Sequence, residues 1–162
     1  MTRFVVAIFF FLILGFGIFF YLSKNKGLQD NSDLANSPLP NEPTVIINSV
    51  RIPVLLAKTN EEIQKGLSGS PALDNKKGML FIFAQPFVYK FWMKDMSFPL
   101  DIIWINNGKV VDISKNTSNI FDPANPRFYK PSKPAQFVLE VNANFASNHQ
   151  IKVGDAVTFN AL

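Results

Sequence analysis

The most prominent feature of the hydrophobic pattern is an apolar run without a charged side chain at residues 4–22. As a helix this run would be about 28 Å long, which matches the hydrocarbon thickness of a bilayer. A short tail followed directly by such a run is typical of a signal peptide or signal anchor, and either one sends the following chain across the membrane. Gly15 and Gly17 offer a cleavage pattern, but the apolar run continues beyond them. We therefore predict a retained, single-pass anchor at residues 1–24 that contacts the lipid bilayer through residues 4–22, with the C-terminal domain extracytoplasmic.

Polar residues and prolines dominate the next segment, residues 25–44. Its Asn, Ser and Asp residues are followed by Pro38, Pro40 and Pro43. Such a composition offers little apolar surface to bury, and its prolines favour extended backbone. We predict a flexible linker that separates the anchor from a single domain at residues 45–162.

Short β-branched and aromatic runs between turn signals indicate strands throughout this domain. The run at residues 78–84 is apolar throughout, as expected of a strand that is buried on both faces. Pro53 predicts edge or entry strands at the beginning of the domain. Asn107-Gly108 is a strong type I′ turn signal and predicts a hairpin. The predicted strands are residues 45–50, 52–57, 78–84, 88–93, 100–105, 109–113, 135–141 and 156–159.

Two short helices are predicted between these strands. Thr59 and Glu62 form the S/T-x-x-E capping pattern, and Gly66 is placed to end this helix. The second helix is predicted at residues 143–149. Residues 116–134 contain four prolines and are too long for a simple connection, which indicates a packed loop over one end of the sheet. The pattern predicts a mainly β (α+β) fold, a small and partly closed β-barrel-like domain with two short helices.

The net charge of +4 is scattered along the chain. Nucleic-acid-binding proteins usually concentrate Lys and Arg on one face, whereas only pairs such as Lys76 and Lys77 occur in this sequence. We therefore predict no nucleic-acid partner, and leave open both attraction to an anionic membrane or wall surface and plain solvation of the charges. The absence of cysteine excludes disulfides, a lipidated cysteine anchor, thiolate catalysis and cysteine-ligated zinc.

Sequence motifs for catalysis and cofactor binding are missing. His149 is the only histidine and lies in a polar stretch, which is more typical of a solvated helix end than of a catalyst. The sequence has no Gly-x-Ser-x-Gly elbow, no phosphate-binding glycine loop and no dinucleotide fingerprint. We predict no cofactor and no catalytic residue, and the interpretation favours a protein that is not an enzyme.

The strongest candidate for a binding site is the stretch at residues 91–101, which mixes aromatic, thioether and charged side chains. Binding pockets commonly combine apolar walls with a few polar groups that orient the ligand. Six ligand-binding residues are predicted: Trp92, Met93, Lys94, Asp95, Asp101 and Glu140. In the alternative interpretation the aromatic residues are core, Lys94 is solvated, and Asp101 accepts backbone hydrogen bonds at a turn after Pro99.

The three carboxylates Asp95, Asp101 and Glu140 could also act as a general acid and base, or hold Mg²⁺ or Ca²⁺. On an unbroken strand Asp95 and Asp101 would share one face, but Ser97 and Pro99 make an unbroken strand unfavourable. Neither spacing is diagnostic, so no metal site is predicted.

Six short motifs carry a family resemblance over nearly the whole span of residues 45–159. They are Gly66-Leu67, Gly78-Met79-Leu80-Phe81, Phe91-Trp92-Met93-Lys94, Pro99-Leu100-Asp101, Leu139-Glu140 and Val153-Gly154-Asp155. In this order they resemble the bacterial and archaeal family called domain of unknown function 192, of the UPF0127 type. The resemblance implies a compact β-barrel-like domain with small helices, often behind a signal or membrane segment, and it implies no activity.

The leading hypothesis is a non-enzymatic, membrane-anchored domain that binds a small polar or saccharide-like ligand, or a cell-envelope partner, through residues 92–101. The first alternative is a carboxylate-dependent hydrolase that acts on envelope material and uses Asp101 with Asp95 or Glu140. The second alternative is a purely structural envelope protein, which predicts no concave pocket beside Trp92.

Overall fold

A computed structural model of the chain describes residues 41–162. The predicted membrane anchor at residues 1–24, and all but the last few residues of the predicted linker at 25–44, lie outside the described residues. Within residues 41–162, no helix is long and apolar enough to cross a membrane.

Strands dominate the described residues, with two short helices between them, as predicted. The elements are β1 (Thr44–Ile47), β2 (Val50–Ala57), α1 (Asn60–Lys65), β3 (Gly78–Phe87), β4 (Phe91–Trp92), β5 (Leu100–Asn106), β6 (Lys109–Thr117), β7 (Phe128–Tyr129), β8 (Ala135–Asn142), α2 (Phe145–Asn148) and β9 (Val157–Asn160).

Seven strands form one sheet in the order β6-β5-β8-β3-β2-β1-β9, and β4 pairs with β7 in a separate ribbon. The pairing of β2 with β3 is parallel, and the other pairs in the sheet are antiparallel. The two ends of the sheet meet where Val157 N donates to Gly108 O at 2.8 Å and Val110 N donates to Asp155 O at 3.0 Å. This contact is an isolated bridge between Lys109 and Ala156 and not a full strand pairing, so the sheet curls into a half-barrel, which confirms the predicted barrel-like fold.

The local turn and cap signals form as predicted. Asn107 and Gly108 have positive φ values of 48° and 66°, as a type I′ turn requires. At α1, Glu62 N donates to Thr59 Oγ1 at 3.2 Å, and Thr59 N donates to Glu62 Oε2 at 3.0 Å. This reciprocal capping box satisfies backbone donors that the first turn of a helix leaves free.

Two strand predictions are wrong. The first two strands are entry strands of the domain but not edge strands, because β1 lies between β2 and β9 and β2 lies between β1 and β3. Pro53 is tolerated because the parallel pairing of β2 with β3 begins one residue later, at Val54, so no hydrogen bond of that pairing needs its missing N–H. The strand predicted at residues 88–93 shortens to Phe91–Trp92, which pairs with β7 inside the loop predicted at residues 116–134.

The central strands pack apolar side chains on both faces of the sheet. The first cluster contains Leu80, Ile103, Leu139 and Val141 together with residues of β1, β2 and α2. The second contains residues of β3, β5 and β8 beneath the turn after α1 and the segment around β4. Its buried members are Ala57, Leu67, Leu73, Met79, Phe81, Met93, Leu100, Ile102, Trp104, Ala135 and Val138. The prediction of two buried faces is confirmed for the first half of β3, whereas its end is exposed.

Strands β3 and β8 approach each other closely at Gly78. A Cβ atom there would lie 2.9 Å from Glu140 O and 2.9 Å from Leu139 Cδ1, closer than packed atoms tolerate. Only glycine fits this position without moving the β8 backbone. The close approach sets Glu140 directly beside Met79 of β3.

Candidate functional site

A cavity of about 340 Å³ opens between α1 with its following turn, the β4–β7 ribbon and the sheet strands β3 and β8. Its walls are mainly aromatic, contributed by Phe81, Phe83, Tyr89, Phe91, Trp92 and Phe128. The polar side chains that border it are Gln64, Lys65, Ser68, Lys90 and Glu140. Apolar walls with few polar groups are the common composition of small-molecule sites.

The short β4–β7 ribbon builds the aromatic wall. Successive residues of a strand point to opposite sides, so Phe91 faces the sheet while Trp92 is 45% exposed. Phe91 packs edge-on against Phe81, with ring centroids 5.0 Å apart. The ladder pairs Trp92 with Phe128, and their nearly parallel rings lie 6.0 Å apart. These two half-exposed rings form the outer part of the wall.

The turn after α1 forms the opposite wall and is hydrogen-bonded to the segment after β4. Ser68 Oγ donates to Lys94 O at 2.9 Å, and Gly69 N donates to Asp95 O at 2.8 Å. Lys94 and Asp95 therefore help to shape the cavity through their backbone carbonyls. Their side chains are exposed and do not line it.

The only carboxyl group among the lining residues belongs to Glu140, in the middle of β8. Its neighbours across the sheet are Met79 on β3 and Ile102 on β5, both members of the second apolar cluster. Val138, two residues earlier and therefore on the same face of β8, also belongs to that cluster. Glu140 thus occupies a position where its neighbours are apolar, and it is only 5% exposed.

Burial raises the pKa of Glu140 to about 8, because the charged form loses its hydration. Burial is the single cause, without a contribution from a hydrogen bond or a neighbouring charge. In the described part of the chain, no side-chain oxygen or nitrogen that is sealed from solvent lacks a hydrogen-bond partner. The carboxyl of Glu140 therefore borders the cavity instead of being enclosed in the core, and it is mostly protonated at pH 7.

Asp101 lies on the other face of the sheet. The β5–β8 register pairs Ile102 with Glu140, and since neighbouring residues point to opposite faces, Asp101 points away from the cavity. Its Oδ1 accepts from Asn116 N at 2.8 Å and its Oδ2 accepts from Ala146 N at 2.9 Å. This buried carboxylate joins β6 and α2 to β5. The alternative interpretation is right that Asp101 accepts backbone hydrogen bonds, but they come from β6 and α2 and not from a turn after Pro99.

The predicted site residues are thus divided by the fold. Trp92 and Glu140 line the cavity, whereas Met93 is buried in the second apolar cluster, where its Sδ accepts from Thr117 Oγ1 at 3.4 Å. The side chains of Lys94 and Asp95 lie outside the cavity, and Asp101 lies behind the sheet. Within residues 41–162, no group of three or more His, Asp or Glu side chains is arranged to hold a metal ion.

Several lining residues were missed by sequence reasoning. Phe128 reaches the cavity only through its pairing with Trp92, a contact between residues far apart in the chain. Gly66, Leu67 and Ser68 reach it through the turn after α1. Both groups of residues are brought to the cavity by contacts between distant segments, for which the sequence gives no local signal.

Comparison with known proteins gives a family and similar solved structures, without an activity. A family model described as Uncharacterized ACR, COG1430 (DUF192) matches residues 44–159. The chain is 31% identical to a protein of unknown function from Novosphingobium aromaticivorans DSM 12444, with a TM-score of 0.63 over 75% of this chain and 89% of the other. It is 26% identical to a candidate transcription regulator from Sinorhizobium meliloti 1021, with a TM-score of 0.65 over 75% of this chain and 94% of the other. No curated protein matches the sequence.

Proposed function

Because the chain belongs to the uncharacterised DUF192 family, whose description assigns no activity, we propose a function from the cavity alone. The domain binds a small polar ligand there, with a saccharide-like ligand among the candidates. The aromatic walls hold the apolar face of the ligand, and Glu140 with the few other polar side chains orients it. The apolar run at residues 4–22 anchors the chain in a membrane and holds the domain outside the cytoplasm.

The observation that carries this proposal is one buried carboxyl group at an aromatic cavity. A cavity of about 340 Å³ lies at the small end of the range for ligand sites. An unpartnered polar group in an apolar row lowers stability, so a sequence under selection for stability alone would place an apolar residue at position 140. A ligand that hydrogen-bonds to Glu140 accounts for the presence of a carboxyl there.

The two alternatives are less well supported by the geometry. A hydrolase that pairs Asp101 with Asp95 or Glu140 requires side chains that the fold separates, since Asp101 lies on the opposite face of the sheet. Glu140 alone could act as a general acid, because burial keeps it protonated at neutral pH, but the lining residues include no second carboxylate. A purely structural protein predicts no cavity beside Trp92, where the structure has one.

Replacing Trp92 with alanine is expected to weaken ligand binding about tenfold, because truncating a large aromatic side chain in a binding site commonly removes that much affinity. The measurement is a titration of the purified 162-residue chain with small sugars, amines and acids, followed by NMR. Leu55→Ala is the matched control, since Leu55 is also half-exposed but does not line the cavity. Absence of binding by every compound, or equal binding by the Trp92→Ala protein, would overturn the proposal.

The location can be tested separately from the ligand. A protease added to spheroplasts that express the chain is expected to release the domain, because the proposal places the polar segment predicted as a linker outside the membrane, where a protease can reach it. A cytoplasmic protein followed in the same cells serves as the control for lysis. Release only after the membrane has been broken would show that the domain faces the cytoplasm.

A further inference from the structure

We propose that the ligand of this cavity is a small organic cation, a protonated amine or quaternary ammonium group, held between the aromatic rings and the carboxylate of Glu140. This inference rests on the proposed binding function and narrows the class of ligand. It stands on the position of one carboxyl group, on the rings around it, and on the absence of a protein partner for that carboxyl among the described residues.

The carboxyl of Glu140 has no protein partner among the described residues. Ion pairs or hydrogen bonds normally compensate a buried carboxylate. The one salt bridge in the described part of the chain joins Lys77 to Glu42, and Glu140 has apolar neighbours on both adjacent strands. A cation that enters the cavity supplies the partner that the protein does not.

The aromatic wall of the cavity favours a positively charged ligand. The faces of aromatic rings carry negative potential and attract cations, whereas they repel anions. Six lining residues are aromatic. Trp92 already has a cation nearby, since Lys94 Nζ lies 5.7 Å from the centroid of its ring and outside the set of lining residues. A cation inside the cavity would meet both these rings and a carboxylate, while a neutral ligand gains neither attraction.

The other titratable groups at the cavity are Lys65 from the end of α1, and Tyr89 and Lys90 from the segment before β4. Both lysines are exposed, so salt screens their repulsion of a cation over about 8 Å at physiological ionic strength. Glu140, in contrast, is buried among apolar side chains, where its attraction is screened much less. For a cation inside the cavity, attraction by the carboxylate therefore exceeds repulsion by the two lysines. At low salt the lysines should slow the entry of the cation.

Binding of a cation is coupled to loss of a proton. In the free protein, burial raises the pKa of Glu140 to about 8, so the carboxyl is mostly protonated at pH 7. The carboxyl must ionise to pair with the cation, and its proton passes to the buffer. As pH rises toward 8, the affinity for a permanent cation is therefore expected to increase about tenfold for each pH unit. Above pH 8 the affinity should level off.

Three isosteric probes test this inference on the 162-residue chain: choline, the neutral alcohol 3,3-dimethylbutan-1-ol and the anion 3,3-dimethylbutanoate. Choline does not titrate, so any pH dependence of its affinity belongs to the protein. At pH 8 we expect choline to bind at least tenfold more tightly than either isostere. At pH 6, calorimetry in buffers with different ionisation heats should show close to one proton released for each choline bound.

Glu140→Gln should remove the pH dependence and weaken choline binding at pH 8 at least tenfold, with little change for the alcohol. Glu61→Gln, which replaces an exposed carboxylate that does not line the cavity, should leave choline binding unchanged. The comparison of choline with its two isosteres needs no variant, so the inference stays testable if Glu140→Gln does not fold. Equal or tighter binding of either isostere, or choline binding that Glu140→Gln leaves unchanged, would overturn the cation while the binding function stands. Failure of all ligands, including those of the wider titration, would overturn both.

Discussion

Replacing Asp101 with alanine is expected to lower the free energy of unfolding by about 4 kcal/mol, because hydrogen bonds to a charged group contribute roughly 1.5–3 kcal/mol each. Both carboxylate oxygens of Asp101 accept a backbone N–H, one from Asn116 and one from Ala146. Alanine leaves both donors without a partner, and the donor on Ala146 is buried. Asparagine keeps one acceptor and should cost roughly half as much.

Urea unfolding of the 162-residue chain, followed by circular dichroism, measures this loss. Asp95→Asn is the matched control, because Asp95 is exposed and its φ of 58° is one that asparagine also adopts readily. The control should change stability by less than about 0.5 kcal/mol. An unchanged unfolding midpoint for Asp101→Ala would mean that the two hydrogen bonds do not stabilise the fold.

The same variant separates a structural role from a ligand-binding role. Asp101 does not line the cavity, so the Asp101→Ala protein that remains folded should bind ligand with unchanged affinity. Amide hydrogen exchange should increase at Ala146, because its N–H loses its acceptor and α2 loses a contact with β5. Loss of ligand binding without loss of stability would assign Asp101 to the site after all.

The parts of the fold that could be predicted from sequence are those that local interactions decide. The turn at Asn107-Gly108 depends on two residues that tolerate positive φ, and the cap of α1 depends on Thr59 and Glu62, three residues apart. The order of strands is different, because it depends on pairing between distant segments. Pro53 indicated an edge strand, but the register of β2 with β3 leaves its missing N–H without consequence.

The candidate site shows the same division between local and distant information. Trp92 and Glu140 could be selected by residue type, since a large aromatic ring and a carboxyl in an apolar run are both conspicuous. The sequence could not show that Asp101 and Glu140 lie on opposite faces of the sheet, because a register shift of one residue reverses the face. The β5–β8 pairing decides which of the two carboxyls reaches the cavity.

As pH rises from 4.5 to 8, the unmodified protein is expected to lose free energy of unfolding, and the Glu140→Gln protein is expected not to show this loss. The carboxyl has a pKa near 4.5 in the unfolded chain and about 8 in the folded protein, where burial disfavours the charge. In this window the unfolded state has released its proton and the folded state has not. Stability therefore falls as pH rises, by about 1.4 kcal/mol for each unit and by about 5 kcal/mol in total.

Urea unfolding of both proteins at several pH values gives the measurement, and the difference between the two profiles cancels the other titrating groups that they share. Below pH 4.5 the difference should be constant, because Glu140 is then protonated in both states. Above pH 8 the difference should be constant again. Relative to its value below pH 4.5, it should then have shifted in favour of the Glu140→Gln protein by the whole free energy that the unmodified protein loses. Asp95→Asn should follow the profile of the unmodified protein throughout the window.

Choline added at pH 8 should recover part of the loss, because a ligand that binds only the folded state stabilises it by mass action. This recovery should be absent in Glu140→Gln, which has no charge to pair. Parallel pH profiles of the two proteins, without choline, would mean that water hydrates Glu140 in the folded state. An ordinary pKa would then remove both the unfavourable free energy of the empty cavity and the proton release that we expect when a cation binds.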